Sequence, residues 1–343
     1  MARKRSALPT IRQVADHLGV AQSSVSRALN DHPDVSEEMK ERVRLATEEL
    51  GYEPDYLAQS LRRGATKTVG FNLRDISNPL FADLVTGAGS YLDKAGYSLL
   101  LMNSDQDPQL DVGHIKLFRQ RRVDGLILSL QSETQPGLKE LIASLKFPVV
   151  LVDRELQGMK LSSVVVDNYS GMHHAVQHLI NLGHRRIALI TGSEDILTTR
   201  ERLRGYRAAL QANNLAEEPD LVRLKSYDQA FGYEAALGLL TAPDPPTAII
   251  AGGIRLLVGT LAACRQASFR IGPDMSLVGC DDTELMAYLD TPISVILRHP
   301  VEMGRLAAEI LLDHLAGGDG GPRIEVVSTE YVPRASTMPP RLR

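Results

Sequence analysis

The sequence is poor in cysteine and has no long apolar run. Cys264 and Cys280 are its only cysteines, far apart and outside any CxxC. That argues against a disulfide framework and against structural zinc, suits a reducing compartment, and leaves both as buried, apolar-like residues. No run of about 18 apolar residues occurs, so no membrane helix is expected. The basic start MARKRSALPT leads into mixed-polarity sequence, not the apolar stretch of a signal peptide, which makes the expected location cytoplasmic. GxSxG, Walker, HExxH and paired CxxC motifs are missing too. Nothing therefore marks a nucleophile, a triphosphate cradle or a metal, and neither enzyme activity nor a cofactor is expected. His174 and His178 have metal-compatible i, i+4 spacing but no third ligand, and TGAGSY (86–91) reads as helix packing because it lacks a complete GxGxxG.

Charge is unevenly spread. The chain carries a net charge of -4, yet residues 1–30 hold Arg3, Lys4, Arg5, Arg12 and Arg27 against Asp16 alone. A basic start on an acidic protein points to a polyanion at that end. With 343 residues, 43% of them hydrophobic, the chain is long and apolar enough for two or three domains.

Ile11, Val14, Ala15 and Leu18 follow i, i+3, i+4, i+7 spacing, with Thr10 placed to cap the helix and Gly19 to end it. After a short turn, a second helix buries Val25 and Leu29 and leaves Gln22, Ser23, Ser26 and Arg27 on the opposite stripe. Two short helices joined by a glycine-containing turn form a helix-turn-helix, whose second helix enters the major groove. Arginine takes guanine bidentately, glutamine takes adenine, and serine reaches bases or phosphates. Ser36 caps a third helix carrying Met39, Val43, Ala46 and Leu50. In YEPDYLAQSLRRG, Leu57 and Leu61 lie on a helix of barely two turns, too short to be stable unless something packs on it.

Beyond residue 68, apolar runs alternate with helical stretches. VGFNL, YSLLLMN, GLILS and VVLVD form one series; RIALITG, TAIIAG and SLVGCDD form another. Such alternation predicts parallel sheets covered on both faces, and two series predict two doubly wound lobes. Ligands bind these sheets at strand carboxyl ends, where Asn72, Asn103, Ser129, Asp153, Asp167, Thr191 and Asp281 stand.

The segments TIRQVADHLGVAQSSVSRALN (10–30), YEPDYLAQSL (52–61), VDGLILS, VVLVDR, VVVDN, LGHRRIALITG, RLRGY and MSLVGCDD closely resemble the lactose/galactose repressor (LacI/GalR) family of bacterial transcription regulators over nearly the whole chain. The resemblance implies an all-α helix-turn-helix domain (1–51), a hinge (52–67), an α/β periplasmic-binding-protein-like body (68–335) and a tail (336–343). Within the body, lobe one is expected at about 68–165 plus 295–330 and lobe two at 166–294. Gln22, Ser23 and Arg27 match the family's base readers. Thr10, Ser24, Ser26 and Ser36 match its phosphate contacts, and Leu61 its minor-groove wedge. The family's effector positions fall on Asn78, Leu80, Phe81, Ser129, Asp153, Arg154, Asp167, Thr198, Arg202, Tyr227, Asp281 and His299. The sequence departs from the family at Asp55 and Gln59 in the hinge. It departs again at Gly253-Ile254, followed by Arg255, where many relatives have Asn-Asp.

These expectations describe a repressor of a pseudo-palindromic operator, a homodimer since no leucine heptad closes the chain, controlled by a sugar or sugar acid. Two alternatives stay open at this point: a small-molecule-binding protein or enzyme using the strand-end carboxylates, and a DNA-binding regulator without an effector.

Overall fold

The computed structural model describes residues 9–52, 64–318 and 321–341. The chain divides into two compact units at Thr66 and Lys67.

The first unit contains helices α1 (Ile11–Leu18), α2 (Gln22–Leu29) and α3 (Glu37–Leu50). Thr10 and Gln13 form a reciprocal capping box: the Thr10 hydroxyl accepts the Gln13 N–H, and the Gln13 side chain accepts the Thr10 N–H at 2.7 Å. Gly19 ends α1 at φ 65°, a left-handed conformation that suits glycine. Val14, Ala15, Val25, Ala28, Val43 and Ala46 meet as the core. Leu29, expected inside, is only partly buried against it.

In the second unit the strands are β1 (Thr68–Leu73), β2 (Ser98–Asn103), β3 (Gly125–Leu128), β4 (Val149–Val152), β5 (Ser162–Val166), β6 (Ile187–Gly192), β7 (Val222–Lys225), β8 (Ala248–Ala251), β9 (Ser276–Cys280), β10 (Ser294–Leu297), β11 (Ile324–Val327) and β12 (Glu330–Val332). Among the described residues they form two sheets, ordered β11-β5-β4-β3-β1-β2 and β12-β10-β9-β8-β6-β7. Pairing is parallel except between β10 and β12. Every residue of β3, β4, β6, β8 and β9 is buried, as strands covered on both faces require. The helices Pro79–Lys94 and Pro300–Leu315 share one core with the first sheet. Helices Asn168–Asn181 and Leu197–Ala212 cover one face of the second sheet, and Gln229–Leu240 and Ile254–Gln266 the other. Gly87 of TGAGSY serves the first of these packings: a Cβ there would lie 1.9 Å from the Val301 carbonyl oxygen.

Two boundaries differ from expectation. Residues 295–297 lie in the second sheet, because β10 pairs with β9, and β12 joins that sheet too. Residues 336–338 are not a loose tail: Leu277 N–H donates to the Ser336 carbonyl, and buried His184 holds the Met338 carbonyl through Nε2 at 2.9 Å.

Candidate functional site

In the first unit Gln22, Ser23 and Arg27 are exposed on α2, and their side chains have no hydrogen-bond or ion-pair partner among the described residues. Ser24 and Ser26 are half-buried on the same helix. Ala21 occupies the N-cap position and offers no capping side chain; Ser24 N–H donates to the Ala21 carbonyl at 2.9 Å, and the Gln22 and Ser23 N–H groups before it face an external acceptor. Thr10 and Ser36 take the capping positions expected of them. Each hydroxyl oxygen accepts a helix-capping N–H, from Gln13 and from Met39; the Thr10 hydroxyl also donates to Gln13 Oε1 at 3.1 Å, whereas the Ser36 proton is left for a phosphate. Leu61, Asp55 and Gln59 lie outside the described residues.

In the second unit a narrow cleft opens where strands from both sheets end. Asp153 follows β4 and Asp281 follows β9, and the two have matching backbones. Both have positive φ, 55° and 75°. Each donates its N–H to the neighbouring strand, Asp153 to Val164 and Asp281 to Ile296. Left-handed backbone in a non-glycine residue costs on the order of 1 kcal/mol and is tolerated best by Asp and Asn. The two carboxylates converge on one guanidinium. Arg298, just past β10, places Nη1 2.6 Å from Asp153 Oδ2 and hydrogen-bonds Asp281 Oδ1 through Nε. Burial opposes the Arg298 charge, but Asp281 and Asp153 outweigh it and hold the group more basic than usual.

Tyr227 forms the opposite wall. Its ring lies against bare backbone: a Cβ on Gly192 would sit 2.0 Å from the ring, and one on Gly253 3.2 Å from it. Gly192 leaves no room for a side chain, whereas one at Gly253 would only press on the ring. The Tyr227 hydroxyl contacts Thr199 Oγ1 at 2.8 Å and Thr191 Oγ1 at 3.3 Å. Arg202 donates from Nε to Asn168 Oδ1 at 3.0 Å and from Nη1 to the Gly252 carbonyl.

Of the expected effector residues, Asn78, Leu80, Asp153, Thr198, Arg202, Tyr227 and Asp281 line the cleft. The rest have other positions. Phe81 is buried beneath Arg74. Ser129 is buried at the end of β3, its N–H on the Asn72 carbonyl. Arg154 is buried and spends Nε on the Leu130 carbonyl. Asp167 caps the Asn168–Asn181 helix through Ser170 N–H, and His299 is exposed at the N-cap position of Pro300–Leu315. Arg74 and Arg298 line the cleft without having been expected. The strand-end rule reaches both, in VGFNLR and SVILR; the family match points one residue too far, to His299.

A second bridge joins the lobes beside the cleft. Glu133, buried after β3, accepts Leu197 N–H at 2.9 Å and Glu155 N–H at 3.0 Å on Oε1, and Arg200 Nη2 at 2.9 Å on Oε2. Ile196 offers no capping side chain to the Leu197–Ala212 helix, so a carboxylate from the first lobe caps a helix of the second. Ser132 adds a hydrogen bond to Asp195 at 2.8 Å.

Residues 10–55 match the lacI family of bacterial regulatory proteins, and residues 176–337 match a periplasmic binding protein-like domain. The chain is 29% identical over 329 residues to the HTH-type transcriptional repressor PurR of Aliivibrio salmonicida, covering 96% of this chain and 99% of that protein. It is 31% identical over 329 residues to the ribose operon repressor of Haemophilus influenzae, covering 96% and 98%. Among solved structures, the lac repressor dimer bound to operator and the anti-inducer ONPF matches with a TM-score of 0.85 at 25% identity, over 96% of this chain and 99% of that one. The chain belongs to the lacI family of bacterial regulatory proteins and is a helix-turn-helix transcriptional regulator with a periplasmic-binding-protein-like body.

Proposed function

We propose that the protein is a cytoplasmic, homodimeric repressor that reads a pseudo-palindromic operator and is controlled by a small sugar or sugar acid bound in the cleft. The observation that carries the DNA reading is the free set of Gln22, Ser23 and Arg27 on an α2 whose first turn has no capping side chain. These groups suit base edges, and the open N–H groups suit a phosphate. Exposed Leu285 and Tyr288 support a self-associating surface. Two lobes joined at the cleft and at Glu133 give an effector two states to discriminate, which is the requirement for control. Catalysis by the cleft carboxylates finds no support, because Asp153 and Asp281 are both committed to Arg298 as ion-pair partners.

Selection of bound duplexes from a random library, repeated across a salt series, tests this reading. Recovery of a palindrome whose affinity falls steeply with salt is the expected result. Recovery of no consensus by folded protein, with or without a metabolite pool, would contradict it.

A further inference from the structure

Four guanidinia line the cleft, those of Arg74, Arg202, Arg255 and Arg298, against the carboxylates of Asp153 and Asp281. Arg298 takes one oxygen from each carboxylate, and Arg202 is committed to Asn168 and Gly252. Arg74 is left without an ion pair among the described residues, and Arg255 has only a long one. Arg74 Nε is buried without a hydrogen-bond partner, and its guanidinium lies 5.4 Å from the Phe81 ring and 5.2 Å from the Tyr227 ring. Those rings offer π faces but no hydrogen-bond acceptor for the Nε proton. Arg255 is about a third exposed and keeps a long ion pair of 3.9 Å with Asp75, while its Nε has no hydrogen-bond partner among the described residues. Burial and the neighbouring charges of Arg154 and Arg298 push Arg74 down to about 9, despite Tyr227 and Asp153. One acceptor is equally unmatched: Asp153 Oδ1 is buried with no partner.

We infer that the cleft binds a polyhydroxylated anion, its carboxylate or phosphate on Arg74 and Arg255 and a hydroxyl donating to Asp153 Oδ1. This rests on reading the cleft as the effector site. A neutral sugar satisfies Asp153 but leaves the Arg74 cation with no ion pair among the described residues; a bare inorganic anion satisfies Arg74 but not Asp153. Only a ligand carrying both groups answers both orphans. Tyr227 and Leu80 supply the apolar faces that suit its C–H surfaces.

Calorimetry on the full chain tests the inference, using common pentoses and hexoses, their aldonate, uronate and phosphate derivatives, and inorganic phosphate. At least one derivative should bind at least tenfold tighter than its neutral parent and than inorganic phosphate. Arg74→Met should abolish that preference and Arg74→Lys should restore part of it, each variant being shown folded by circular dichroism. The carboxylate and phosphate arms identify which anion the site takes. Neutral sugars binding as tightly as their derivatives, indifferent to Arg74→Met, would overturn the inference and leave the sugar reading intact. Binding of only a nucleobase or amino acid would overturn the sugar reading itself. No binding by any derivative would overturn the inference as well.

Discussion

Arg298 and Asp153 are 145 positions apart in sequence, yet Nη1 lies 2.6 Å from Oδ2, and the same guanidinium holds Asp281 from the other lobe. All three side chains are buried. Removing the cation would leave two buried carboxylates opposing each other. Arg298→Met is therefore expected to destabilise the body by about 3–5 kcal/mol, as breaking buried ion pairs does. Urea unfolding measures this. The triple variant Arg298→Met with Asp153→Asn and Asp281→Asn should recover much of the stability while losing effector binding. A single variant as stable as the parent would mean the three groups are not coupled.

Glu133 gives a prediction about lobe closure. Glu133→Gln keeps an acceptor for Leu197 N–H but loses the charged contact with Arg200; Glu133→Ala loses both. An N-cap acceptor is worth about 1 kcal/mol, or roughly fivefold in an equilibrium. Effector affinity should fall in the order parent, Gln, Ala, with the Ala variant roughly fivefold or more weaker. Small-angle scattering should show that variant more open. Equal affinities across the series would remove Glu133 from the closing contact.

The glycines behind Tyr227 predict a graded response. Gly192→Ala places a Cβ 2.0 Å from the ring and Gly253→Ala one at 3.2 Å. Overpacking of the first kind costs about 1–3 kcal/mol, whereas the second asks the ring to give by tenths of an ångström. Calorimetric effector affinity should drop about tenfold or more for Gly192→Ala and little for Gly253→Ala. The reverse order would place the ring elsewhere.

How much of this was legible beforehand depends on where each signal resides. The three-helix unit was readable because its caps and apolar spacing are local: Thr10, Gly19 and Ser36 each stand where α1 and α3 require them. Strands β1 to β4, β6, β8 and β9 were readable as apolar runs. Strands β7, β11 and β12 were not, because VRLK, IEVV and EYV are short and partly polar, and only their pairing defines them. The cleft residues appeared as strand ends, but their partners did not. Nothing local says that Asp153 faces Arg298, that Glu133 caps a helix beginning 64 residues later, or that Gly192 makes room for Tyr227.

His184 predicts acid sensitivity. It is buried, with Nδ1 2.8 Å from Thr247 Oγ1 and Nε2 on the Met338 carbonyl and Ser276 Oγ. Burial lowers its pKa below the ordinary 6.5, as burial also does for His114 and His178. With a depressed native pKa, the unfolded chain binds the proton more readily. Stability from these groups is thus full above pH 6.5 and is lost as pH falls below it. Urea midpoints at pH 7.5, 6 and 5 should decline, and His184→Gln should shallow the decline. A midpoint independent of pH across this range would contradict the assignment.

Operator affinity as a function of effector tests the central claim most directly. Fluorescence anisotropy of the selected duplex, titrated with the sugar derivative found by calorimetry, should show a change in dissociation constant of at least tenfold. That factor corresponds to a coupling of about 1.4 kcal/mol between cleft and DNA-binding unit. An unchanged dissociation constant under conditions where calorimetry shows the cleft filled would contradict the account of a ligand-controlled repressor.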